Sequence, residues 1–237
     1  MDRKNIFVIG LNEFNMEELK SIDHADEYNF IPVFSKKELQ EDFNVEDLQQ
    51  YIDEACGHIA GFKGSIDGII GFFDFPVTLL TFLLCREFGV RGPSLESGFK
   101  CEHKYWSRIE QQKIVPECVP GFTAIDPFDP PPFEGLDIQK PFWIKPVKAY
   151  ASQLGFLIDS ERTYHERLEE IREQIHLFAG PFNHMLSYVT LPEEIEGITG
   201  NYCIAEELIE GEQYTLSGYV NNGKVTTYGI VDSLNYE

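Results

Sequence analysis

Two lysines far apart in the chain carry most of the chemistry that this sequence offers. Lys104 sits in His103-Lys104-Tyr105 at the head of a helix-length segment, and Lys145 ends an apolar strand, Phe142-Trp143-Ile144-Lys145-Pro146. Ammonium groups hold phosphate oxygens as point charges. The loop after Lys145, Val147 to Leu154, adds Ser152 and backbone amides that could cover the same anion. Further on, Glu206-Glu207-Leu208-Ile209 reads as the end of a strand, and Gly211-Glu212-Gln213-Tyr214-Thr215 opens the next one. Peptide groups of Glu207 to Ile209 could face the edge of a purine, with Glu206 or Gln213 reaching its amino group or the ribose. In this order the four features suit a nucleoside triphosphate held between two sheets.

Each residue also has a plainer reading. A lone Lys104 would be a solvated helix lysine, and only its place before the other motifs argues otherwise. Lys145 follows two aromatic residues, so in a partly buried setting it needs an anion or a carboxylate partner. Adjacent Glu206 and Glu207 must point to opposite faces of a strand. His58, His103 and His165 read as surface or satisfied core residues, and the Phe72-Phe73 and Phe75 cluster reads as core packing.

The elements that would position these groups follow from periodicity. Asn5 to Ile9, Phe30 to Phe34 and Ile66 to Phe73 are short apolar runs that suit strands buried on both faces. Between them, Val45, Leu48, Ile52, Ala55, Cys56 and Ile59 recur at helical spacing, and Phe75 to Phe88 is helix-length and closed by Gly89. Strands alternating with helices predict a parallel sheet, so residues 1–95 form a Rossmann-like unit. A nicotinamide site is disfavoured, because the first strand runs into Gly10-Leu11-Asn12-Glu13 with one glycine where the dinucleotide fingerprint has three.

Beyond Gly92-Pro93 the pattern changes. A helix is predicted from Cys101 to Gln112, followed by Val119-Pro120-Gly121-Phe122-Thr123 and then a proline-rich loop from Asp126 to Pro132. Phe142 to Ile144 pairs with Gly155 to Ile158, and a helix from Glu161 to Phe178 follows, capped by Ser160. Asn222-Gly223 between Tyr214 to Val220 and Val225 to Val231 marks a tight hairpin.

Composition narrows the function. Across 237 residues, 40 acidic and 19 basic side chains give a net charge of -21, which repels nucleic acid and anionic membrane surfaces. No run approaches the about 18 apolar residues of a membrane span. Five scattered cysteines without a CxxC pair read as reduced thiols of a cytoplasmic protein, and no local metal motif is present.

The ordered segments HKYWSRIEQQKIVPECVPGF, FWIKPVKAYASQLGFLI and CIAEELIEGEQYTLSGYV, after a Rossmann-like leader, resemble the ATP-grasp superfamily, which includes biotin carboxylase and carboxylate-amine ligases. The resemblance covers nearly the whole chain. It implies an α/β and α+β fold, with a pre-ATP-grasp domain over 1–95 and the first part of an ATP-grasp fold over 96–237. By the resemblance Lys104 and Lys145 contact ATP phosphates, Tyr150 to Gly155 with Ser152 forms the covering loop, and Glu206, Glu207, Leu208 and Ile209 form the adenine hinge. Gln213 stands where many members have glutamate, Ser217 where many have aspartate, and the loop lacks Gly-Gly. The family's metal-binding Glu and Glu-x-Asn would lie beyond Glu237, so the chain reads as the leading part of a longer protein. The implied activity is an ATP- and Mg2+-dependent ligation of a small-molecule carboxylate to an amine or other nucleophile through an acyl phosphate. Homodimerisation is compatible with the resemblance. The competing expectation is a non-catalytic binding or scaffolding module on the same fold.

Overall fold

A computed structural model describes residues 3–41, 48–149 and 152–232. The chain divides into two units, Met1–Glu207 and Leu208–Glu237.

The first unit begins with a parallel three-stranded sheet of order β2-β1-β3, formed by β1 (Lys4–Leu11), β2 (Tyr28–Ser35) and β3 (Gly68–Gly71). Alternation along β1 decides which helix covers which face. Phe7 and Ile9 join a core with α2 (Leu48–Ala60) and α3 (Val77–Glu87), whereas Val8 packs with Leu19 of α1 (Glu13–Ser21). Helices on both faces explain why the strands read as continuous apolar runs. Residue Val45, expected in the second helix, lies outside the described residues. Helix α1 has no strong apolar stripe and was not legible from periodicity; its start is set by Asn12, whose side chain accepts from the Asn15 N–H at 2.7 Å.

The helix predicted from Cys101 to Gln112 is in fact two, α4 (Leu95–Glu102) and α5 (Lys104–Ile114). His103 breaks them. Its backbone is extended, its Nδ1 caps α5 by accepting from the Trp106 N–H at 3.2 Å, and its Nε2 lies 2.9 Å from the Ile198 carbonyl. Those two bonds fix the neutral tautomer with the proton on Nε2. Burial lowers the pKa of this ring, so His103 is a satisfied core residue.

A second, antiparallel sheet of order β4-β7-β5-β6 comprises β4 (Phe122–Ile125), β5 (Phe142–Pro146), β6 (Phe156–Ile158) and β7 (Cys203–Glu207). Ile125, Phe142, Ile144, Ile158, Cys203 and Ala205 pack one face against Tyr164, Leu168 and Ile171 of α6 (Glu161–Gln174). Ser160 caps α6, accepting from the Thr163 N–H at 3.3 Å. The helix expected to run to Phe178 ends at Gln174 and is followed by α7 (His176–Leu186). Helix α7 joins two cores: Phe178 and Ala179 belong to the second, Phe182, Met185 and Leu186 to the first. Among the described residues no helix is long and apolar enough to cross a membrane.

The second unit is a hairpin, β8 (Tyr214–Asn221) paired with β9 (Lys224–Asp232). Asn222 and Gly223 both have positive φ, 50° and 74°, as a two-residue turn matched to strand twist requires.

Candidate functional site

The face of the antiparallel sheet turned away from the second core carries the polar groups. In β5, Trp143 and Lys145 point away from the second core; in β7, Ile204 and Glu206 share that face, Trp143 lying opposite Glu206 and Lys145 opposite Ile204. Helix α5 covers the β4–β7 half: Tyr105 meets Phe122 edge to face at 5.4 Å between ring centres, and Arg108 reaches Glu206. The β5–β6 half stays open, with Trp143 and Leu157, opposite one another across the strands, each more than two-fifths exposed.

Glu206 is the electrostatic hub of this face. It is 4% exposed, and its carboxylate is gripped by Arg108 Nε at 2.5 Å and by the Lys145 ammonium, a diagonal cross-strand pair. Burial opposes its charge, but the two cations outweigh burial and hold its carboxyl below the usual glutamate range. Glu207 points the other way, as adjacent strand residues must. Its two oxygens accept from the backbone N–H groups of Gly121 (3.1 Å) and Gln139 (3.2 Å), so its side chain clamps two loops together.

Lys104 approaches from the head of α5. Its backbone N–H donates to the Val147 carbonyl at 2.9 Å and its ammonium to the Ala149 carbonyl at 2.7 Å, which ties α5 to the loop after β5. Burial, and then the charges of Lys148 and Lys145, push its pKa down to about 8. Lysines 104, 145 and 148 therefore share one neighbourhood in a chain of net charge -21. Ser152 and Leu154 both have positive φ, 58° and 54°, and the Gly155 N–H closes a turn on the Ser152 carbonyl at 3.4 Å. Ser152 is exposed; Tyr150, at the centre of the expected covering loop, lies outside the described residues.

Leu208, Ile209 and Gln213 fall in the second unit, ahead of β8, and all three are exposed. Sequence reading missed Arg108, Lys148, Glu102 and Asp74. Arg108 had a signal, since it lies four residues after Lys104 and thus on the same helix face. Lys148 had a weaker one, a second lysine three residues past Lys145. Asp74 and Glu102 had none, because their role depends on which strands and helices meet.

No protein-family model matches the chain, and no curated protein matches it. Solved structures do. A D-alanyl-alanine synthetase A from Vibrio cholerae superposes at a TM-score of 0.63 with 13% identity, covering 100% of this chain and 70% of its own length. An L-amino acid ligase from Bacillus licheniformis matches at 0.60 and 15%, covering 97% of this chain and 50% of that one. A D-alanine--D-alanine ligase from Bacillus anthracis complexed with ATP matches at 0.58 and 14%, over 100% of this chain and 67% of that one. The chain thus spans between half and about seven-tenths of the length of these ligases.

Proposed function

Starting from a chain with the fold of the leading part of the ATP-grasp ligases, we propose that it is the nucleotide-binding portion of an ATP-dependent ligase that joins a carboxylate to an amine or other nucleophile through an acyl phosphate. The observation that carries this is the convergence of Lys104 and Lys145 beside an open sheet face, within a strongly acidic protein. Lys104 is the better placed of the two. Among the described residues its ammonium has a carbonyl partner and no carboxylate, so a phosphate oxygen would add the anion it lacks. Phosphate contact would also favour its protonated form against the burial that depresses it.

Lys145 has an anion already, Glu206, but Arg108 holds the same carboxylate. When Lys145 turns to a phosphate, Arg108 would keep Glu206 balanced, so the exchange leaves no buried charge unpaired. The exposed Trp143 and Leu157 beside it offer apolar surface to the remainder of a nucleotide. Ser152, in an exposed turn with positive φ, would lend a hydroxyl and amides to the phosphates. Among the described residues no group of three His, Cys, Asp or Glu side chains could hold a metal ion. Magnesium would accompany the nucleotide, where it neutralises phosphate charge.

Calorimetric titration of the chain with ATP and magnesium tests the reading. Saturable binding is expected, weakened by roughly tenfold or more in Lys104→Ala and in Lys145→Ala, the cost of one charge-assisted hydrogen bond. Absence of binding, or binding indifferent to both substitutions, overturns it.

A further inference from the structure

Two residues before Lys104, Glu102 ends α4, and Asp74 follows β3. Both carboxylates are held by one ammonium, that of Lys148, whose side chain is 4% exposed. It contacts Glu102 directly, lies 3.3 Å from Asp74 Oδ1, and sits 5.3 Å from the centre of the Phe75 ring. The same two acids act electrostatically on Lys104.

We propose that Lys148 is a positioning residue for the nucleotide site: by occupying Glu102 and Asp74 it leaves Lys104 free of any carboxylate and open to a phosphate oxygen. This rests on the reading of Lys104 as a phosphate-binding group. A buried carboxylate stripped of its cation recruits the nearest replacement, since an unpaired buried charge is costly. Lys104 is that replacement, two residues after Glu102 and carrying a long stem. Asp74, about half exposed, can fall back on water; Glu102, 11% exposed, cannot. The segment 147–149 supplies both halves of the arrangement. Lys148 engages the acids, and the carbonyls on either side of it, from Val147 and Ala149, hold the Lys104 N–H and ammonium. The charged groups acting on Lys104 are Glu102 from α4, Asp74 from the turn after β3, and Lys145 and Lys148 from β5 and its loop.

The chain is to be titrated with ATP and magnesium, and the Lys104 ε-carbon followed against pH by NMR in the ligand-free protein. Lys148→Met is expected to weaken ATP by roughly tenfold or more, because Glu102 then captures Lys104. Adding Glu102→Gln to it should restore binding, and Lys148→Arg, which keeps the cation, should bind nearly as the parent does. In the ligand-free chain Lys104 should titrate at higher pH in Lys148→Met and at lower pH in Glu102→Gln. A double variant as weak as the single one, or a Lys104 titration that neither substitution moves, overturns the proposal. If the parent chain binds no ATP, the nucleotide reading fails, and the opposed shifts of Lys104 alone uphold or overturn its shielding by Lys148. Should Lys148→Met not fold, the Glu102→Gln titration decides.

Discussion

Two ionic clusters in the first unit use the same chemistry in opposite proportions. On the face of the antiparallel sheet turned away from the second core, one buried carboxylate, Glu206, is shared by two cations, Arg108 and Lys145. Beside α4, one cation, Lys148, is shared by two carboxylates, Asp74 and Glu102. The titration behaviour follows the proportions. Burial opposes the charge of both glutamates, and it is overcome for Glu206 but not for Glu102, whose carboxyl is held above the usual range with Asp74 adding to the effect. A cluster with cations in excess can release one to an incoming anion, whereas a cluster with acids in excess can only keep its cation, which is the difference on which the two proposals above rest.

The largest effect expected from breaking this contrast is on stability. Lys148→Met removes the single cation between two acids and should cost about 3–5 kcal/mol, the range for breaking a buried ion pair from one side; urea denaturation measures it. Glu206→Gln breaks the other cluster more gently. Lys145 and Arg108 are a quarter to a third exposed and can turn to water, so the loss should be about 1–2 kcal/mol in the same assay. A Glu206→Gln loss equal to that of Lys148→Met would remove the distinction drawn above.

Lys104→Met sharpens it further. Because its pKa falls from 10.5 to about 8 on folding, the charged side chain costs stability at every pH below about 8 and ceases to cost it above 10.5. Removing it should leave the melting temperature at neutral pH unchanged or raise it, while the response to ATP is lost. The smallest effect is in the pH dependence itself. Glu206, with its pKa lowered, contributes stability above the ordinary value of 4.5 that is lost as pH falls below it. Glu102, with its pKa raised, costs stability as pH climbs above 4.5 and is relieved by acid. Relative to the parent, Glu206→Gln should therefore flatten the acid fall in melting temperature and Glu102→Gln should steepen it. Slopes that change in the same direction would show that the two clusters do not differ as described.

Much of the fold was legible because it rests on local periodicity. The runs around Phe7, Ile31 and Ile69 became the parallel sheet, and Tyr164, Leu168, Ile171, Ile175 and Phe178 lie in the second core at the spacing read for one helix face. What failed did so where a tertiary partner decides the local conformation. His103 reads as an ordinary helix residue until the Ile198 carbonyl gives its ring a second bond. The helix read as ending at Phe178 instead passes into α7, whose later residues Phe182, Met185 and Leu186 join the first core.

The sequence alone determined that Lys104 lies in a helical segment, that Lys145 lies at the end of a strand, and that Glu206 and Glu207 point apart, since each is a consequence of backbone geometry over a few residues. Only the tertiary structure decided which charges meet: that Arg108 stands over Glu206, that Glu207 binds loop amides, and that Lys148 reaches Asp74, 74 positions earlier. The physical reason is range. Periodicity encodes which way a side chain faces, whereas an ion pair forms only where two chain segments distant in sequence are brought within a few ångströms, and no local pattern records that distance.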